Sequence, residues 1–80
     1  MYEKTLSKLT EILVEELGID GGEVRPEAHL VNDLGVNSLE FMSVIVVIED
    51  TFEIFLDENR LRDLKTVDDV VKYIVELREN

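Results

Sequence analysis

Apolar residues recur at helical spacing near both ends of the chain. Leu6, Leu9, Ile12, Leu13 and Leu17 share one face of a helix over roughly residues 3–17. Gly18 is placed to stop it in the left-handed conformation, and Ile19 to make the apolar contact of a Schellman motif. Near the other end, Thr66-Val67-Asp68-Asp69 is a capping-box-like start, and Val67, Val70, Val71, Ile74 and Leu77 define a last helix. Asp57 can cap a short helical turn over residues 58–63.

The middle of the chain is harder to read. Residues 20–36 carry Gly21-Gly22, Pro26 and Gly35 among isolated apolar residues with no sustained period, which predicts a long loop ordered by its own apolar side chains. Val44-Ile45-Val46-Val47-Ile48 has the composition of a buried strand. The pattern Leu39, Met42, Ile45, Ile48/Glu49, Phe52 nevertheless carries a helical period through that run, and no second strand-like segment could pair with it. In a helix the five β-branched residues cost about 2–3 kcal/mol relative to alanine, whereas burying three of them returns about 5–9 kcal/mol. Packing therefore outweighs propensity. The expected fold is all-α: a small four-helix bundle of three longer helices and one short one, with a long ordered loop between helices one and two, as a single domain over residues 1–80.

Eighty residues support one core, and a chain of this size buries only about 60–65% of its unfolded surface, which disfavours an enclosed active site. Without cysteine, and with His29 as the single histidine, disulfides and the usual zinc sites are excluded. No metal site is expected. No basic segment followed by an apolar run opens the chain, and no apolar stretch approaches about 18 residues, so a cytoplasmic protein without membrane insertion is expected. The net charge of −11 argues against nucleic acid and for basic protein partners. Between Arg25 and Arg60 no Lys or Arg occurs, while Glu27, Asp33, Glu40, Glu49, Asp50, Glu53, Asp57 and Glu58 all fall in that interval. An acidic surface kept for solubility is the plain reading of such a charge; its concentration around Ser38 suggests a docking surface instead.

Ser38 is the candidate site. Asn37-x-x-Glu40 is a capping-box variant that puts Ser38 at the first helical position, beside unpaired backbone N–H groups and the positive end of the helix dipole. A phosphate ester is favoured there. As a hydrolase nucleophile Ser38 is poor: G-x-S-x-G is missing, and His29, a loop residue, has no identifiable orienting partner. No segment fits a calcium loop, since Asp57-Glu58-Asn59 is followed by Arg60 without the required glycine.

These residues resemble the acyl carrier proteins, the small acidic helical carriers of fatty acid and polyketide synthesis. The resemblance covers nearly the whole chain: Leu17-Gly18-Ile19, Asp33-Leu34-Gly35-Val36-Asn37-Ser38-Leu39, Glu49-Asp50-Thr51-Phe52-Glu53-Ile54, and Thr66-Val67-Asp68-Asp69-Val70-Val71-Lys72-Tyr73-Ile74. It implies that a phosphopantetheinyl transferase moves 4'-phosphopantetheine from coenzyme A onto Ser38, and that acyl cargo rides on the arm as a thioester. It also implies a monomeric, non-catalytic carrier that offers Asn37, Leu39, Glu40, Phe41, Ser43, Val46, Glu49, Asp50, Leu56 and Glu58 to enzymes with basic docking patches. Such enzymes transfer the acyl group or modify its chain.

The chain departs from the family pattern in a consistent direction. Asn37 stands where the family usually has aspartate, Ser43 and Phe55 where it has acids, and Phe41 where it has a small polar residue. The partner face is thereby less charged and more apolar, which suggests a specialised carrier. Aminoacyl and peptidyl carriers share the attachment chemistry, and an unmodified acidic helical interaction module is the alternative from another class.

Overall fold

The computed structural model describes residues 1–79. It contains α1 (Tyr2–Leu17), a single 3-10 turn (Gly21–Glu23), α2 (Ser38–Phe52), the short α3 (Glu58–Leu61) and α4 (Val67–Glu79). The all-α expectation holds, and no strand occurs among the described residues; His29 and Thr66 form one isolated antiparallel bridge. Helix α3 stops short of the expected residue 63, and the 3-10 turn was not legible in the pattern.

Helix α1 packs against both α2 and α4, and the most completely buried side chains, Leu9, Ile48, Val67, Val71 and Ile74, come from these three. Gly18 ends α1 at φ 69°, its N–H donating to the Val14 carbonyl. This single bond is the simpler left-handed closure rather than the doubly bonded Schellman form. The β-branched run of α2 is helical, as the burial argument requires, with Val44, Ile45 and Ile48 in the core.

The inward stripe of α2 differs from the expected one. Phe41, Val44, Ile45, Ile48 and Phe52 face or border the core, at spacings of three and four residues. Leu39 is 82% exposed and Met42 44% exposed, with Val46 at 61% on the same outer side. Two apolar stripes thus run along one helix, and spacing alone does not say which of them meets α1.

The loop before α2 is pinned from both ends of the chemistry available to it. Val24, Ala28, Leu30 and Val36 are buried, and backbone bonds tie it to the start of α4: Leu30 N–H to the Lys65 carbonyl, Val67 N–H to that of Ala28, and Asp68 N–H to that of Pro26. His29 Nδ1 accepts from the N–H groups of Val31 and Asn32 (3.2 and 3.1 Å), while Asp33 Oδ2 accepts from His29 N–H at 2.7 Å. Gly35, at φ 70°, then reverses the chain so that Val36 N–H returns to the Leu30 carbonyl.

Helix α4 starts on a reciprocal pair: Thr66 Oγ1 accepts from Asp69 N–H, and Asp69 Oδ2 accepts from Thr66 N–H and Lys65 N–H. Tyr2 of α1 donates its hydroxyl to Asp68, which also meets Lys72 at 3.0 Å. Burial and then the Asp68 bond push the Tyr2 hydroxyl up to about 12. The Tyr2 and Lys72 contacts hold Asp68 below its ordinary 3.8. Burial opposes ionisation of Asp69, but the Lys65, Thr66 N–H and Thr66 hydroxyl bonds outweigh it, and that carboxyl is also lowered.

Carboxyls depressed in the folded state stabilise it above their unfolded pKa and lose that contribution as pH falls through the folded value. The gap in melting midpoint between wild type and Asp69→Asn is therefore expected to be full near neutral pH and to close as pH falls below 3.8. Comparing the two chains cancels the general repulsion of an acidic surface, and thermal melts across pH 2–7 on the order of one-unit steps check it.

Candidate functional site

Helix α2 begins where its sequence says it should. Asn37 sits in extended backbone at φ −92°, ψ 175°; its Oδ1 accepts from Glu40 N–H at 2.8 Å, and Glu40 Oε1 accepts from Asn37 N–H at 3.1 Å. Both halves of the capping box are thus present. Ser38 is the first residue of the helix and is exposed. The cap occupies Glu40 N–H, and Phe41 N–H reaches the Asn37 carbonyl. The N–H groups of Ser38 and Leu39 have no partner among the described residues, so two donors and the helix dipole face whatever joins the Ser38 hydroxyl.

Ser38 also borders two clefts. The larger, ≈ 470 Å³, lies between the loop and the segment after α3, with Val31, Val36 and Phe41 as apolar walls and Arg62 and Lys65 at its rim. The other runs towards α3 past Phe41, Met42 and Leu61, and Arg62 lines it as well. These are the first cations beyond Arg60, and sequence reasoning missed them. Only their position after an interval without Lys or Arg hinted at a role. His29 lines the larger cleft beside Ser38, but its Nδ1 is committed to backbone N–H groups, as suits a structural loop residue.

A model of the family described as phosphopantetheine attachment site matches residues 7–74, from the second turn of α1 into α4. The chain belongs to that family. Phosphopantetheine attachment domains are carriers rather than enzymes, and they hold 4'-phosphopantetheine covalently on a serine. They work with a phosphopantetheinyl transferase and with acyl-handling enzymes. The residues around Ser38 fit such a group: an exposed hydroxyl, two unpaired N–H donors for a phosphodiester, and an adjoining cleft with apolar walls and a basic rim. Among the described residues no cluster of three or more His, Asp or Glu is placed to hold a metal ion.

The residues expected on the partner face divide into several kinds. Asn37, Leu39, Ser43, Val46, Asp50 and Glu58 are exposed around Ser38 and along the outer side of α2 and the start of α3. Glu40 and Phe41 are half-buried, one in the cap and the other as a cleft wall. Glu49 is half-buried too, its Oε2 accepting from Leu56 N–H at 2.9 Å. Leu56 is a correction: it is 3% exposed and belongs to the core, because this bond and that of Asp57 N–H to the Tyr73 hydroxyl turn it inward.

Removing the cap acceptor in Asn37→Ala is expected to lower stability by about 0.5–2 kcal/mol, which moves the melting midpoint of so small a domain by several degrees. Asn37→Asp, which keeps the acceptor, is expected to melt within about 0.5 kcal/mol of wild type. Calorimetry on the three proteins checks both.

Proposed function

We propose that this chain is an acyl carrier protein whose attachment point is Ser38. The observation that carries this reading is the position of that hydroxyl: exposed, first in α2, over a cap that leaves two N–H donors free. Ser7, in the second turn of α1, and Ser43, in the middle of α2, lack that electrostatic setting. Ser38 serves as acceptor and the transferase supplies the base, since the chain's own part is exposure and a favourable field for the new anion. The bound group brings a thiol, which a chain without cysteine lacks, and on which acyl groups are held as thioesters. Partner enzymes of fatty acid, polyketide or related lipid synthesis then act on the cargo, in the cytoplasm. The −11 charge favours a monomer through repulsion between copies.

Asn37 at the cap and the exposed apolar residues of α2 support a specialised carrier over a housekeeping one. The cap geometry survives the loss of the family's usual carboxylate there, while one charge available to basic partners does not. The cargo is expected to remain outside the helical core. Ile45, Ile48 and Ile74 are at most 3% exposed, and β-branched side chains are stiff at χ1. Loading a long acyl chain should leave their methyl NMR shifts in place; large shifts at these three residues would show the chain entering the core.

Incubation with coenzyme A and a broad-specificity transferase should add the mass of one phosphopantetheine to the wild-type protein and none to Ser38→Ala. Wild-type protein left unmodified by each of several transferases would instead support an unmodified acidic interaction module. Aminoacyl in place of acyl loading of the modified protein by its own pathway enzymes would make it an aminoacyl or peptidyl carrier.

A further inference from the structure

Phe55 lies between two residues that turn inward, yet it is 76% exposed. The segment after α2 is not loose. Glu53 closes the helix at φ 55°, Ile54 N–H donates to the Glu49 carbonyl, Leu56 N–H to the Glu49 carboxylate, and Asp57 N–H to the Tyr73 hydroxyl. Ile54 packs against the core and Leu56 lies within it. Two residues on each side of the ring are thus fixed, and the ring is held in water by structure rather than left there by disorder.

Its surroundings specify what would cover it. Phe55 joins Met42 and Val46 along a shallow cleft whose other walls include Glu49, Asp57 and Glu58. Arg60, the nearest cation in sequence, is drawn away: its guanidinium stacks 4.3 Å over the Tyr73 ring and meets Glu76 at 3.3 Å. Among the described residues Glu49, Asp57 and Glu58 form no ion pair, although Arg62 lines the adjoining cleft with Glu58. An apolar strip with such an acidic border fits a surface of opposite design, an apolar socket rimmed by Lys or Arg. A second copy of this chain is a poor occupant, since it would set acid against acid at a charge of −11 on each.

We propose that Phe55 is a specificity anchor for one class of partner, an acyl-handling enzyme that receives the ring in an apolar socket beside a basic docking patch. This rests on the carrier reading above and gives Phe55, in the loop after α2, a specific role within that docking surface. Rigid aromatic residues centred in a polar rim dominate binding because they desolvate fully at small entropic cost.

The test uses the phosphopantetheine-loaded protein with p-benzoylphenylalanine at position 55, irradiated in a lysate of its source organism. The crosslinked enzyme is then purified and assayed with wild-type, Phe55→Ser and Phe55→Leu carriers. Expected are an acyl-handling enzyme, a KM raised roughly tenfold or more by Phe55→Ser with kcat little changed, and recovery of most of that loss by Phe55→Leu. The melting midpoint should be the same in all three. No crosslink, a crosslink to a second copy, or a KM indifferent to Phe55→Ser overturns the proposal. Intact mass separates this from the reading beneath it: carriers that load at Ser38 but ignore Phe55 sink the anchor alone, whereas chains that never load sink both.

Discussion

The arrangement depends on the backbone pairing between the loop before α2 and the start of α4. Three bonds, from Leu30, Val67 and Asp68, join segments more than thirty residues apart in sequence. They fix where the loop ends, and so where Asn37 stands when it caps α2. Each bond contributes only about 1 kcal/mol net, but their partners are partly withdrawn from water, and leaving them unpaired costs more than making them gains. The buried Val24, Ala28, Leu30 and Val36 hold the paired segments together from below. A serine at the end of a long loop, first in α2, acquires a defined address because that loop is in effect part of the α4 cap.

The helices themselves were legible in the sequence because their information is local. Asn37 and Glu40 show the start of α2, Gly18 the end of α1, and Thr66 with Asp69 the start of α4, and each signal acts within four residues of itself. Ser38 was legible for the same reason. The β-branched run of α2 was settled by energetics, since burial outweighs the modest cost of such residues in a helix.

What escaped the sequence depends on neighbours distant along the chain. Leu39 and Met42 fit a helical period as well as Phe41 and Val44 do, and only the position of α1 decides which stripe is buried. Tyr73 looked like one residue among several on α4, yet its ring is buried and its hydroxyl accepts from Asp57 N–H, so it anchors the approach to α3. Leu56 turns inward through that bond and the Glu49 carboxylate. Arg62 and Lys65 reach the Ser38 cleft because α3 folds back towards the loop, and no local pattern announces such a return.

The neutral cap at Asn37 separates two properties that a carboxylate at that position would combine. As an acceptor for Glu40 N–H, an amide oxygen does the geometric work of a carboxylate. As a charge it contributes nothing. A carboxylate about 4 Å from a phosphodiester on Ser38 would repel it by about 1 kcal/mol in a water-like dielectric, enough to offset much of what the helix dipole supplies. Asparagine removes that repulsion and leaves the dipole and the two N–H groups unopposed. The same change withdraws one negative charge from the proposed partner face. Apolar area at Val46 and Phe55 stands beside the remaining acids; on the proposed docking surface, discrimination would therefore rest less on charge and more on shape, which salt screens far less.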